Sequence, residues 1–133
     1  MKLTNTRLAA IILCLFAAIT LRAADLSEAD KQFLTRYEHV RAALAKDNLD
    51  DAKKAAVELG DDGTAIAKAD SIVVARNEFA TLSERAIKLA SGQSGYYVVN
   101  CPMVKKDWVQ PRGEISNPYA GRSMPNCGMI KKK

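Results

Sequence analysis

The longest helical repeat in the chain is DSIVVARNEFATLSERAIKLASG, residues 70–92. Its apolar residues recur at steps of three and four, which places them on one face of a helix that starts near Asp70 and ends at Ser91-Gly92. That face consists of Ile72, Ala75, Phe79, Leu82, Ala86 and Leu89. Because charged residues such as Arg76 and Glu84 occupy the other faces, the pattern predicts a helix that packs along one side.

Two shorter helices are predicted upstream of it. Ser27 can cap the first helix, and Asn48 can cap the second, which is rich in alanine and ends at Gly60. Three amphipathic helices with short polar connections predict a mainly α fold, a small antiparallel helical bundle over residues 24–95. The residues expected in its core are Phe33, Tyr37, Phe79 and Leu82.

The pattern changes at Gly95, where the C-terminal segment, residues 96–133, begins. Residues 96–99 are apolar and β-prone, and residues 108–110 could form a second short strand. Helices of any length are excluded because prolines are spread through the segment, at Pro102, Pro111, Pro118 and Pro125. We therefore expect an irregular tail rich in Cys, Met and Pro, with at most one short strand pair.

The N-terminus has the layout of a secretory signal peptide. Lys2 and Arg7 precede an apolar run over residues 8–21, and Ala23 offers a small residue for cleavage. The run of about fourteen residues is shorter than the roughly twenty that span a bilayer. We predict a signal peptide at residues 1–23 and a single exported domain at residues 24–133, periplasmic or secreted, with no membrane span after removal of the signal.

Charge is divided unevenly along the exported part. Residues 24–95 hold ten Lys and Arg against thirteen Asp and Glu, whereas residues 96–133 hold seven against two. The basic C-terminal run is too short to indicate a nucleic-acid partner, and an exported protein seldom meets one. A solvated surface is the simpler interpretation.

Every sulfur atom in residues 24–133 lies in the C-terminal segment. Thiolate and thioether groups are soft ligands that favour Cu(I) and Ag(I), whereas Zn ordinarily takes four Cys, His or carboxylate ligands. The turn predicted at residues 117–121 folds the chain back and brings the two ends of the segment together. The candidate metal ligands are Cys101, Met103, Met124 and Cys127, with Met129 as a possible additional ligand.

A disulfide between Cys101 and Cys127 is the alternative. Two cysteines in a small exported protein are more often a disulfide than a metal site, and closing a loop of this length stabilises a fold by about 3 to 4 kcal/mol on the chain-entropy model. Oxidation could convert one state into the other. The residues alone leave both interpretations open.

An enzyme is not expected. The chain has no Cys-x-x-Cys pair, no haem-attachment motif and no glycine-rich phosphate loop. Its single histidine, His39, falls off the apolar stripe of the first helix, so a surface position is the default. A pure interaction module stays open, in which Trp108, Tyr119 and the basic residues contact an acidic partner.

The motifs of the C-terminal segment resemble a known bacterial family. They are Cys101-Pro102-Met103, Trp108-Val109-Gln110, Asn117-Pro118-Tyr119 with Gly121, Met124 and Cys127-Gly128. This pattern is similar to an exported domain of unknown function that occurs alone and is also appended to the adaptor subunits of CusB-type copper and silver efflux systems. The chain departs from the family pattern at Ala120, Arg122 and Pro125, and retains both cysteines.

The resemblance implies heavy-metal handling outside the cytoplasm. Together with the soft ligands it predicts an exported Cu(I)- or Ag(I)-binding protein whose partner is a CusB-type efflux adaptor or another periplasmic metal-handling protein. The alternative function is a disulfide-stapled periplasmic interaction module that binds no metal.

Overall fold

The computed structural model describes residues 24–131. Its four helices are α1 (Glu28–Ala45), α2 (Leu49–Val57), α3 (Thr64–Ala67) and α4 (Ile72–Ala90). Its three strands are β1 (Tyr96–Cys101), β2 (Lys106–Pro111) and β3 (Met129–Ile130), and short 3₁₀ turns occur at Gly60–Gly63 and Gly121–Ser123. The predicted signal peptide lies outside the described residues.

The C-terminal segment forms an antiparallel sheet, which corrects the predicted mainly α bundle with an irregular tail. The strand order is β2-β1-β3, so the fold is α+β. β1 and β2 pair over six residues each, from Tyr96 opposite Pro111 to Cys101 opposite Lys106. Proline does not prevent this pairing, because Pro111 ends β2 at the edge of the sheet, where its missing N–H interrupts no ladder.

Side-chain caps fix the starts of the three longer helices. The side chains of Ser27, Asn48 and Ser71 each accept a hydrogen bond from a backbone N–H three residues on. A cap of this kind typically contributes about 1 kcal/mol. Ser27 and Asn48 are the caps that the sequence predicted, and α4 begins after Ser71.

A row of aromatic rings joins the helices to the sheet. Tyr37 stacks on Phe79 with ring centroids 4.9 Å apart, Phe79 lies 5.7 Å from Tyr119, and Tyr119 lies 6.2 Å from Trp108. Phe33 extends the row at 6.3 Å from Tyr37. The helices and the sheet therefore share one apolar core, which also contains the predicted core residue Leu82.

Within residues 24–131, none of the helices combines the length and the apolar character that crossing a bilayer requires.

Candidate functional site

A disulfide joins the two cysteines of the C-terminal segment. Cys101 and Cys127 have Cα atoms 5.6 Å apart and are separated by 26 positions in the chain. Cys101 ends β1 and is fully buried, whereas Cys127 precedes β3 and is partly buried. The bond therefore ties the end of β1 to the segment that leads into β3.

The three methionines lie in different structural elements. Met103 is 71% exposed in the turn between β1 and β2, and Met129 is 60% exposed in β3. Met124 is partly buried directly after the second 3₁₀ turn. The structure brings the two predicted cysteine ligands together and places the predicted thioether ligands in three separate elements.

The donor set in this form does not fit a soft metal ion. Cys101 and Cys127 are bonded to each other, so neither is available as a thiolate. In the part of the chain that the structure describes, no group of three or more His, Cys, Asp or Glu side chains could hold an ion. His39 lies at the exposed junction of α1 and α2, with Nδ1 3.6 Å from Glu58 Oε2.

Asn117 organises the turn that follows the sheet. Its buried Oδ1 accepts hydrogen bonds from the backbone N–H groups of Tyr119 at 2.8 Å and Ala120 at 3.0 Å. Its Nδ2 donates to the carbonyl of Cys127 at 2.8 Å. The side chain thus forms an Asx turn and also fixes the backbone of the second cysteine.

Trp108 belongs to the core and does not form part of the surface. Its side chain is fully buried, and its indole Nε1 donates to Gln110 Oε1 at 3.0 Å. Gln110 in turn donates to the Glu114 carbonyl and accepts from the Ser116 N–H. The predicted role of Trp108 as a partner contact is corrected, because the ring has no surface to offer.

Tyr119 uses its hydroxyl inside the fold. The hydroxyl oxygen lies 3.2 Å from both Ser83 Oγ and the Asp107 carbonyl oxygen. Burial raises the pKa of Tyr119 to about 12, so the group stays protonated at neutral pH. Burial also raises the pKa of Tyr37, whose hydroxyl lies 2.8 Å from the same Ser83 oxygen. Since Tyr119 is partly buried, only part of its side chain is left for a partner.

Two motif glycines occupy positions that a side chain would fill. Gly121 has φ +56°, and a Cβ there would clash with Asp47 Oδ1 and the Arg76 guanidinium. A Cβ on Gly128 would lie 2.6 Å from Val99 Cγ1 and 3.0 Å from the Trp108 ring. Both glycines let the chain pass close to packed neighbours.

The buried Arg41 and the partly buried Arg76 fasten residues 116–122 to the helices. Arg41 of α1 donates to the Ser116 carbonyl at 2.6 Å, and Arg76 of α4 donates to the Pro118 carbonyl at 2.7 Å. Arg76 also bonds Asp47 at 2.6 Å, and Asp47 accepts from the Arg122 N–H at 3.0 Å. These hydrogen bonds, first that from Arg76, hold the pKa of Asp47 below its usual value.

Most residues that carry the family resemblance therefore build the fold. The exceptions are the exposed Pro102 and Met103 and the partly buried Met124. The fastening residues Arg41, Asp47 and Arg76 were missed by the sequence analysis, since no local pattern connects a helical arginine to a carbonyl 75 positions away.

No protein-family model, curated protein or solved structure matches this chain. The resemblance to the exported domain stays a prediction.

Proposed function

We propose that this protein is an exported interaction module whose binding surface is held rigid by the Cys101–Cys127 disulfide. The observation that carries the proposal is the disulfide, which together with Asn117 fixes a segment rich in turns. A surface ordered before binding loses less conformational entropy when a partner docks. The predicted signal peptide supports this proposal, since disulfides persist in oxidising compartments.

The chemistry left on the surface favours binding over catalysis. The polar side chains buried in the sheet region, such as Gln110 and Asn117, bond to neighbouring backbone groups and thereby serve the fold. The exposed side chains of the same region include the apolar Met103 and Met129 and the basic Lys106. Such a surface suits a partner with apolar contacts and acidic residues.

The partner we propose is the periplasmic part of a CusB-type efflux adaptor, or another metal-handling protein of that compartment. The support for this choice is the resemblance of the C-terminal motifs.

Calorimetric titration of the oxidised protein into a purified adaptor tests the proposal. We expect a Kd in the micromolar range, and weaker binding after Cys101→Ala with Cys127→Ala because the surface loses its constraint. A Kd weaker than about 1 mM corresponds to a binding free energy of less than about 4 kcal/mol and would contradict the proposed partner.

Soft-metal binding is the second candidate function, and the short distance between the two cysteines supports it. With Cα atoms 5.6 Å apart, reduction would leave two thiols beside each other, and two thiolates suit Cu(I) or Ag(I). Cys101 and Cys127 would hold the ion. Met103 and Met124 would act as weaker thioether ligands, with Met129 in reserve.

Anaerobic competition against a Cu(I) chelator tests this second candidate. Reduced protein should bind about one ion per chain, and the oxidised protein should not compete. Met103→Leu and Met124→Leu nearly conserve volume, so a loss of affinity with little change in melting temperature would indicate ligands. Equal competition by the Cys101→Ser, Cys127→Ser variant would exclude the thiol site.

A further inference from the structure

The two edges of the sheet are finished differently. At the β2 edge, two outward backbone groups bond to tyrosine hydroxyls. The Val109 N–H donates to the Tyr37 hydroxyl at 3.2 Å, and the Tyr119 hydroxyl lies 3.2 Å from the Asp107 carbonyl oxygen. Since these two bonds come from a side chain of α1 and from one in the turn that follows the sheet, this part of the β2 edge is already covered.

The opposite edge is covered over a much shorter length. β3 has two residues and pairs with β1 only at Val99 and Asn100. The Lys131 N–H then donates to the Val98 carbonyl at 2.8 Å, so the backbone of Val98 faces this edge. The N–H and C=O groups of successive residues in a strand point to opposite edges of that strand. Those of Tyr96, two residues before Val98, therefore face the same edge as those of Val98. Among residues 24–131, no strand lies beside Tyr96 on that side.

A groove of about 470 Å³ occupies the space beside Tyr96. Its volume lies within the range of about 300 to 1,000 Å³ typical of ligand sites. One wall is the C-terminal end of α4, including Ile87, and the other comes from the first half of β1 and the end of β3, including Val98 and Ile130. Ile130 is 47% exposed. The groove therefore places apolar walls beside a strand edge that no other part of residues 24–131 covers.

Positive charge lies at the rim of this groove. The Arg112 guanidinium lies over the Tyr97 ring, 5.0 Å from its centroid, and Arg112 Nε donates to the Ser94 carbonyl. These contacts fix the position of the side chain and leave its charge without a carboxylate among the described ion pairs. Lys131, which also lines the groove, is 2.7 Å from Asp107. An occupant with an acidic group would find its counter-charge at Arg112.

We propose that this groove binds an extended, acidic segment of a partner protein as an added strand beside Tyr96. Strand addition uses backbone hydrogen bonds for affinity and alternate side chains for specificity. Here an apolar side chain would enter the groove, and an Asp or Glu would face Arg112. A second copy of this chain suits the groove poorly, because its own C-terminal segment is basic. The inference rests on the proposed interaction function and names its surface.

The test uses the oxidised protein and a synthetic peptide of alternating glutamate and valine. Amide chemical shifts of Tyr96, Val98 and Ile130 should move on titration, and those of α2 should not. Two N-methylated versions of the peptide keep its side chains and block alternate sets of N–H groups. Only the set that faces β1 is needed, so one version should bind at least about tenfold more weakly than the other. Equal binding by both versions would overturn strand addition.

Charge variants test the occupant. Arg112→Glu should weaken binding of the acidic peptide by about tenfold, which corresponds to about 1.4 kcal/mol. Arg122→Glu makes the same charge change elsewhere in the C-terminal segment and should leave affinity unchanged. A peptide with lysine in place of glutamate should bind the unmodified protein more weakly. Equal affinity for the two peptides would overturn the acidic partner, and dimerisation abolished by Arg112→Glu would assign the groove to a second copy.

Hydrogen exchange in the free protein supplies an independent outcome. The Tyr96 amide should exchange quickly until the peptide is added, whereas slow exchange beforehand would mean that the groove is already filled and the inference is wrong. Adaptor binding that Arg112→Glu leaves unchanged would overturn this groove while the proposed interaction function stood. Peptide binding at the groove without adaptor binding would overturn the proposed partner, while the inference about this groove stood.

Discussion

The helical part of the molecule and its sheet region are held together by different means. α1 and α4 bury continuous apolar faces against each other, and their ends are capped locally by Ser27 and Ser71. The sheet region packs into the same core and is also held by single polar side chains, such as Arg41 and Asn117, and by one disulfide. The helices therefore depend mainly on many apolar contacts, whereas the sheet region adds a few polar and covalent links to such contacts.

The substitution with the largest expected effect tests whether the helices and the sheet region unfold together. Phe79→Ala removes the ring that contacts both Tyr37 and Tyr119, and the cavity should cost about 3 to 5 kcal/mol. Because the core is shared, far-UV circular dichroism of the helices and fluorescence of Trp108 should report one common unfolding transition.

Val73→Ala is the control for that substitution. Val73 lies on the same helix with 64% of its surface exposed, so the change should stay within about 0.5 kcal/mol. Two unfolding midpoints that separate in Phe79→Ala would show that the helices and the sheet hold independently.

Removal of the disulfide comes next in size. Cys101→Ala with Cys127→Ala releases a loop of 26 positions, which corresponds to about 3.5 kcal/mol on the chain-entropy model. Trp108 and Val109 stay in the common core, so the sheet should survive with a lower melting temperature. Loss of the Trp108 fluorescence transition with intact helices would mean that the disulfide alone holds the sheet.

Asn117→Ala should follow, with a cost of about 1 to 3 kcal/mol. The substitution leaves the Tyr119 and Ala120 N–H groups and the Cys127 carbonyl without their buried partner. Asn126→Ala is the matched control, since Asn126 is exposed. Denaturant titration of both variants measures the difference, and equal stability would show that the Asx turn is dispensable.

The contrast between the helices and the sheet region also explains which elements could be predicted from the sequence. Residues such as Phe79 and Leu82 recur at helical spacing, and local caps mark helix starts, so the helices could be located from the sequence. β3 could not be located from the sequence. Its two residues, Met129 and Ile130, show no alternation of apolar and polar side chains, and they pair with a strand about thirty positions earlier. Without the third strand, the sheet region was predicted to be irregular.

Because the sheet was not predicted from the sequence, the candidate site was also predicted incorrectly in part. Trp108, which was predicted as a partner contact, lies on β2 and is fully buried in the core. The pairing of Cys101 with Cys127 was one of two interpretations, and composition alone does not distinguish ligands from a disulfide. Burial of Asn117 depends on neighbours that only the folded chain brings together.

The smallest expected effect concerns Asp47, whose carboxylate joins the two regions. Asp47 bonds the Arg76 side chain and the Arg122 N–H, and these hydrogen bonds lower the pKa of Asp47 in the folded protein. A carboxyl group with a lowered folded pKa stabilises the fold above its unfolded pKa of about 3.9, and this contribution is lost as the pH falls through the folded value. Since Asp47 is more than a third exposed, solvent weakens the contribution.

The pH dependence of Asp47→Asn isolates this contribution. The variant should be less stable than the unmodified protein at pH 7. The difference should shrink as the pH is lowered below about 4, because Asp47 is protonated first in the unfolded chain and, at lower pH, in the folded protein. Asp107 also has a lowered pKa, because hydrogen bonds from Lys131 and Asn100 outweigh its partial burial, so both proteins should keep some acid sensitivity. Asp25→Asn, an exposed change ahead of α1, is the control and should leave the profile unchanged. A stability difference that stays constant from pH 7 to pH 3 would show that Asp47 acts through its shape alone and that charge does not join the sheet region to the helices.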